Sequence, residues 1–192
     1  MSSPRLRRAE LFRGKTLVFR DACVGDAAFI HGLRSDARKS RHLSPVSPRL
    51  ADQVAWLEGY RESNDQVYFI IESAHTVQSK PAEPLGTVRL YDAQGDSFCW
   101  GSWILKDDAP TTAAIESALM VYAYALDALG FRHAHFQVRR DNQRVWAFHE
   151  RFGATRVAQD ATEFRYTLGN AAIRAALQRY RRFLPQPATE DA

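Results

Sequence analysis

The residues best equipped for chemistry are histidines, carboxylates and cations that lie near aromatic rings in the sequence. His149 stands in the run VWAFHERFG, between Phe148 and Phe152. Imidazole titrates near neutrality, so it can give or take a proton there; the same ring between phenylalanines also reads as a packed or surface histidine. His133 and His135 are two apart, which on a strand puts both imidazoles on one face. Without further spaced ligands that pair does not make a metal site. Asp92, Asp96 and Glu72 flank the central strands, and each reads first as a turn or strand-end residue. Arg34, Arg38, Arg41 and His42 form a basic loop, while Tyr68, Trp100 and Trp103 supply rings. A solvated loop and core aromatics account for these residues.

The elements that must position these groups follow from apolar periodicity. Residues 16–20 alternate as a strand, and residues 24–35 carry Ala27, Phe29, Ile30 and Leu33 on a helical stripe. Residues 34–43 are polar and aperiodic, hence a loop. Ser47-Pro48 is a suitable helix start, followed by Leu50, Val54, Leu57 and Tyr60 on one face. Residues 67–72 (VYFIIE) read as a central strand, residues 74–84 as a flexible excursion, and residues 85–91 and 97–105 as an antiparallel hairpin. A helix over 113–129 has the stripe Ile115, Leu119, Tyr122, Leu126 and Leu129. Gly130 ends it, residues 133–138 form a strand, and Asp141-Asn142 offer oxygens to cap a helix that Gly153 stops. Two strands near 154–157 and 163–168 and a helix over 170–184 complete an α+β chain around one mixed, mostly antiparallel sheet. The expected domain is 11–184, with flexible tails at 1–10 and 185–192.

Composition narrows the class. Of 192 residues 45% are hydrophobic, enough for a real core, and 25% are charged. No apolar run would span a bilayer and no apolar segment follows the basic N-terminus, so the sequence reads as soluble and cytoplasmic. Cys23 and Cys99 lack metal or redox spacing. A formal charge of +4 permits an anionic ligand without identifying one, and nucleic acid is disfavoured even with an arginine-rich C-terminal helix. The sequence lacks G-x-S-x-G, Walker, H-E-x-x-H and G-x-G-x-x-G patterns, leaving hydrolase, NTPase, metalloprotease and Rossmann readings unsupported.

The order of elements, the strand WGSWIL at 100–105 and the stretch from 131 to 154 together resemble the GNAT (GCN5-related) N-acetyltransferases. Asn142 sits at that family's Asn position, His149 where a Tyr is usual, and Gly153-Ala154 where Gly-Phe would be. The match is similar to the branch of ribosomal-protein N-terminal and aminosugar-nucleotide acetyltransferases. The resemblance implies a single domain whose sheet splays between strands 97–105 and 133–138, and acetyl-CoA as co-substrate with no metal. Its pantetheine arm would pair with the backbone of Trp103, Ile104 and Leu105 and face Asn142. Its pyrophosphate would meet Thr111, Thr112, Ala113, Ala114 and Ile115. That loop departs from the family's Gln/Arg-x-x-Gly-x-Gly/Ala: alanines replace glycines, and Glu116 would repel the phosphates unless it points away.

The resemblance further implies direct attack of a primary amine on the thioester, with backbone N–H groups of the splayed strand at the carbonyl. His149, as imidazolium of reference pKa ~6.5, would protonate a thiolate of ~8.5. Arg38, Tyr68 and Trp100 would meet the acceptor. No acid lies on residues 97–105, which suits amines of pKa ~8 better than a lysine of ~10.4. That suits a peptide N-terminus and an amino sugar alike; the basic loop, which the resemblance places at the acceptor cleft beside Tyr68, Trp100 and Trp103, would suit a diphosphate and a stacking base, so a nucleotide-linked amino sugar is expected ahead of a protein N-terminus. The rivals are an idle acetyl-CoA-binding module and a nucleic-acid-associated protein; the sequence is compatible with a homodimer.

Overall fold

The computed structural model describes residues 3–74 and 82–186. Eight strands form one sheet: Leu11–Arg13 (β1), Leu17–Asp21 (β2), Val67–Ser73 (β3), Pro84–Gln94 (β4), Ser97–Leu105 (β5), His133–Arg139 (β6), Thr155–Gln159 (β7) and Glu163–Gly169 (β8). Their spatial order is β1-β2-β3-β4-β5-β6-β8-β7. Neighbours are antiparallel except β5 and β6. The helices are Ala27–Ser35 (α1), Ala37–Ser40 (α2), Leu50–Glu62 (α3), Ala113–Ala123 (α4), Gln143–Arg151 (α5) and Asn170–Arg179 (α6). This is the α+β arrangement around a mixed sheet that the periodicity predicts.

Strand β3 shows why the sheet is covered on both sides. Phe69 and Ile71 belong to the large core with Leu119, Met120 and Tyr122 of α4, whereas Tyr68 and Ile70 join Ile30 of α1 and Leu57 and Tyr60 of α3. Alternate residues point to opposite faces, so a run apolar at every position needs a helix layer on each. Each such large side chain contributes roughly 1.5–3 kcal/mol by leaving water.

Several details differ from the sequence-based expectations. The edge strand β1 is additional, and residues 3–10 do not hang free: Leu6 is buried, and the Tyr124 hydroxyl donates to the Arg7 carbonyl. Asp36 accepts from the amides of Arg38 and Lys39 and so nucleates α2 inside the expected loop. Ser47 does not cap α3. Its hydroxyl bonds Asp52, and the helix begins at Leu50. The expected long helix is α4 followed by a π-helical turn, Tyr124–Ala128, and α4 is buried almost all round. The excursion at 74–84 falls mostly on residues outside those described, as does the expected C-terminal tail beyond 186. No described helix is long and apolar enough to cross a membrane.

Candidate active site at the split in the sheet

Strands β5 and β6 pair at two positions, Ser97↔His133 and Phe98↔Ala134. Beyond them the strands diverge, so the facing edges carry backbone N–H and C=O groups with no strand partner. Helices α4 and α5 start just past the open end. This is the crevice outside the carboxyl ends of parallel strands where open sheets bind ligands.

A bulge shapes the β5 wall. Thr87 pairs with Ile104 and Arg89 with Gly101, so β5 holds one residue more than β4 between these pairs. Ser102 takes the strain at φ 47, and the Thr87 hydroxyl donates to its carbonyl at 2.9 Å. Trp100 and Trp103, three apart, thereby come together with ring centroids at 5.4 Å; regular alternation would send them to opposite faces. The Trp103 indole N–H donates to Ser117 of α4 at 3.1 Å, and its ring meets Phe148 of α5 at 5.3 Å. Ile104 is buried and Leu105 half-buried on the same arm.

His149 is 5% exposed, with Trp100 at 5.3 Å and Phe136 at 4.2 Å between ring centroids. Its Nδ1 makes no hydrogen bond, and burial lowers its pKa from 6.5 to about 3. Loss of water around the buried ring disfavours the imidazolium, so the site favours the neutral ring over the imidazolium acid that the resemblance implies. Asn142 precedes α5 but forms no side-chain cap, contrary to expectation, so its amide is unengaged at the mouth of the split.

The segment before α4 is arranged differently from what its composition suggests. Glu116 turns away from the helix start and accepts from the Thr16 amide (2.7 Å), the Thr16 hydroxyl (2.6 Å) and the Leu17 amide (3.0 Å). Ala113 N–H bonds the Pro110 carbonyl at 2.8 Å, which leaves the amides of Ala114 and Ile115 without intrahelical acceptors. Thr111 and Thr112 are exposed, and Thr112 makes no side-chain cap bond. With the carboxylate withdrawn, these donors fit an anion at a helix N-terminus.

Two adjoining cavities open on the face carrying α1–α3, with volumes of about 490 and 330 Å³, and Arg34 lines both. The larger reaches Trp100, Phe136, Asp92 and His135; the smaller is walled by Trp56, Tyr68 and Arg89. Arg34 Nε and Arg89 Nε are buried without acceptors, and Tyr68 completes no hydrogen bond although Arg34 and Thr87 are its polar neighbours. The Arg89 guanidinium lies over Trp56 and Tyr91, at 5.3 and 4.9 Å, and burial pulls its pKa down. Arg38 is not part of this site. The Asp36 cap directs it outward to Asp107 at 2.7 Å. Arg89 and Trp56 escape sequence reasoning, since an arginine inside a strand and a tryptophan in an amphipathic helix carry no local signal.

Of the flanking acids, Glu72 is tied to Arg20 at 2.9 Å and Asp96 lies 3.7 Å from His133. Asp92, at φ 51, meets His135 Nε2 at 3.1 Å, and His135 Nδ1 lies 2.7 Å from the Ser97 hydroxyl. The two imidazoles do not converge, and no described group of three or more His, Cys, Asp or Glu could hold a metal ion.

A sheet split at its parallel pair, with a helix N-terminus at the opening, defines an acyltransferase of the GNAT type. The family described as Acetyltransferase (GNAT) domain matches residues 16–155, and the chain belongs to it as an N-acetyltransferase. No curated protein matches the sequence. Among solved structures, apo FdhC, a nucleotide-linked sugar GNAT, is 32% identical with a TM-score of 0.79, the alignment covering 96% of this chain and 100% of FdhC. A GCN5-related N-acetyltransferase from Brucella melitensis aligns at 17% identity and TM-score 0.75, over 96% of this chain and 90% of that one. Spermidine N-acetyltransferase from Vibrio cholerae, solved with CoA and spermine, aligns at 16% and 0.70, over 82% and 98%. These last two share the fold.

Proposed function

We propose that this protein transfers the acetyl group of acetyl-CoA to the primary amine of a nucleotide-linked amino sugar. The carrying observation is the set of buried donors without partners, Arg34 Nε, Arg89 Nε and the Tyr68 hydroxyl, around a cavity walled by the indole of Trp56. Each guanidinium keeps a buried Nε–H without an acceptor, although Arg34 also donates to the Ser44 carbonyl at 3.0 Å, and a buried donor left unpaired is costly unless an anion completes it. A diphosphate supplies that anion, and a nucleobase beside it would stack on Trp56, which is 39% exposed. The 32% identical relative, FdhC, is itself described as a nucleotide-linked sugar GNAT.

Acetyl-CoA supplies the activated acyl group. Ala114, Ile115, Thr111 and Thr112 would hold its phosphates, with Ala113 setting the helix start; Trp103, Ile104, Leu105 and Asn142 would line its arm. Unpaired N–H groups along β5 stabilise charge at the carbonyl oxygen. Trp100 closes the floor between the two ligands. His149, neutral, presents a ring nitrogen as a hydrogen-bonding group in the dry throat rather than as a charged acid.

Thiol release with a panel of amines tests this reading: nucleotide-linked amino sugars, the free amino sugars, spermidine and peptide N-termini. The expected result is kcat/KM at least tenfold higher for a nucleotide-linked sugar than for the same sugar free. Equal rates with and without the nucleotide, or preference for peptides or spermidine, would refute it.

A further inference from the structure

We propose that His135, held between Ser97 and Asp92, is the proton acceptor for the substrate ammonium. This rests on the reading of the protein as an amine acetyltransferase, and it supplies the base that β5 itself lacks.

Three geometric facts carry the assignment. First, His135 is the first β6 residue beyond the last β5–β6 pair, Phe98↔Ala134, so it stands at the root of the split. Second, it lines the 490 Å³ cavity together with Trp100 and Asp92, on the acceptor side. Third, both ring nitrogens are engaged in a way that fixes the tautomer. Nε2–H donates to Asp92 Oδ2 at 3.1 Å, leaving Nδ1 as the basic nitrogen that accepts the Ser97 hydroxyl at 2.7 Å. An imidazolium keeps both contacts, since the Ser97 hydroxyl turns to accept from Nδ1–H. Asp92 then balances the new charge. Gln94 and His135 hold its carboxyl below the usual range, so it stays ionised.

The proton inventory closes. One N–H bond of the ammonium breaks and one forms at Nδ1, the proton carried by water or by the Ser97 hydroxyl as it passes on its own. The neutral amine attacks, and the proton its nitrogen then sheds leaves with the thiol product. No oxidant or other co-reactant is needed.

The neighbours do not compete for this role. Tyr91 from β4 and Cys99 from β5 are both raised by burial and stay neutral. Glu163 and Arg165 of β8, and Arg34 and His42 across the cavity, share the lining. Burial lowers His42, whose Nε2 already accepts from Arg41 Nε at 2.8 Å. His133, on the same strand face, is half exposed and outside the cavity, which makes it the natural control.

The test is kcat/KM from pH 6 to 9 for wild type, His135→Gln, Asp92→Asn and His133→Gln, on whichever primary amine the wild type turns over best. His135→Gln should lose about tenfold at pH 7 for an amine of pKa ~8, whose neutral form is then about a tenth of the total, the deficit shrinking as pH approaches the amine's own pKa. Acceptor Kd should move no more than threefold. His133→Gln should stay within twofold of wild type. Nitrogen-15 NMR of the ring gives a readout apart from turnover: the Nε2–H tautomer in wild type, disturbed in Asp92→Asn. A His135→Gln protein within threefold of wild type at pH 7, a deficit unchanged across pH, or the opposite tautomer would overturn the proposal. Preference for an amine without a nucleotide would refute the substrate alone; failure to acetylate any primary amine would sink both.

Discussion

The Glu116 carboxylate receives both the amide and the hydroxyl of Thr16, 100 positions earlier in the chain, at 2.7 and 2.6 Å. It thereby fastens the first turn of α4 to β2 while keeping negative charge off the helix N-terminus. Gly14 makes room for this, since a Cβ there would stand 2.7 Å from Glu116 Oε1 and 2.5 Å from Met120 Sδ. Glu116→Gln keeps an oxygen for the two amides but removes the charge and sets its NH₂ against the Thr16 hydroxyl, which must turn to accept. It should lower stability by about 1–3 kcal/mol in urea unfolding, with acetyl-CoA affinity within twofold of wild type. A tenfold affinity change would mean that Glu116 faces the ligand instead.

His149 makes stability pH-dependent in a defined direction. Its pKa is about 3 in the folded chain against 6.5 unfolded, so the unfolded state binds the extra proton between these values. Stability from this residue is complete above about pH 6.5 and is lost as pH falls towards 3, on the order of 5 kcal/mol in all. Denaturant midpoints from pH 7 to 4 should fall less steeply in His149→Phe than in wild type. Parallel curves would show that the ring is solvated. The same variant should lose turnover more than acetyl-CoA affinity.

The bulge at Ser102 stores strain that the tryptophans need. Its φ of 47 disfavours β-branched side chains. Ser102→Val should cost roughly 1–3 kcal/mol and weaken acetyl-CoA binding by displacing Trp103. Ser102→Gly should keep the fold. Thermal unfolding and indole fluorescence read both effects.

Removal of Arg34 or Arg89 should raise the KM of a nucleotide-linked acceptor about 10–100-fold, with kcat changed less. Trp56→Ala should weaken it about tenfold through lost stacking. The free sugar should feel neither change. Raised salt should weaken wild type more than either arginine variant.

Much of this molecule is written locally. The run VYFIIE has no polar phase and therefore sits between two helix layers. The hairpin, the long helix and the strand-helix unit closed by Gly153 at φ 93 follow from period and turn chemistry. The element order, with Asn142 and His149 in register, was enough for the family. Contacts between distant segments were not legible. His149 looks ionisable beside Phe148 and Phe152, yet its charge state is set by Trp100 and Phe136, which only packing brings round it. Arg89 reads as a strand residue until Arg34 and Trp56 arrive from α1 and α3. His135 reads as half of an H-x-H pair, while its partners Asp92 and Ser97 come from the β4–β5 hairpin. The sequence by itself determined which segments are strands and helices, because that depends on neighbours within a few residues. Tertiary structure decided which side chains are dry, paired or left with open valences, because burial and hydrogen bonding depend on groups 40 to 100 positions away.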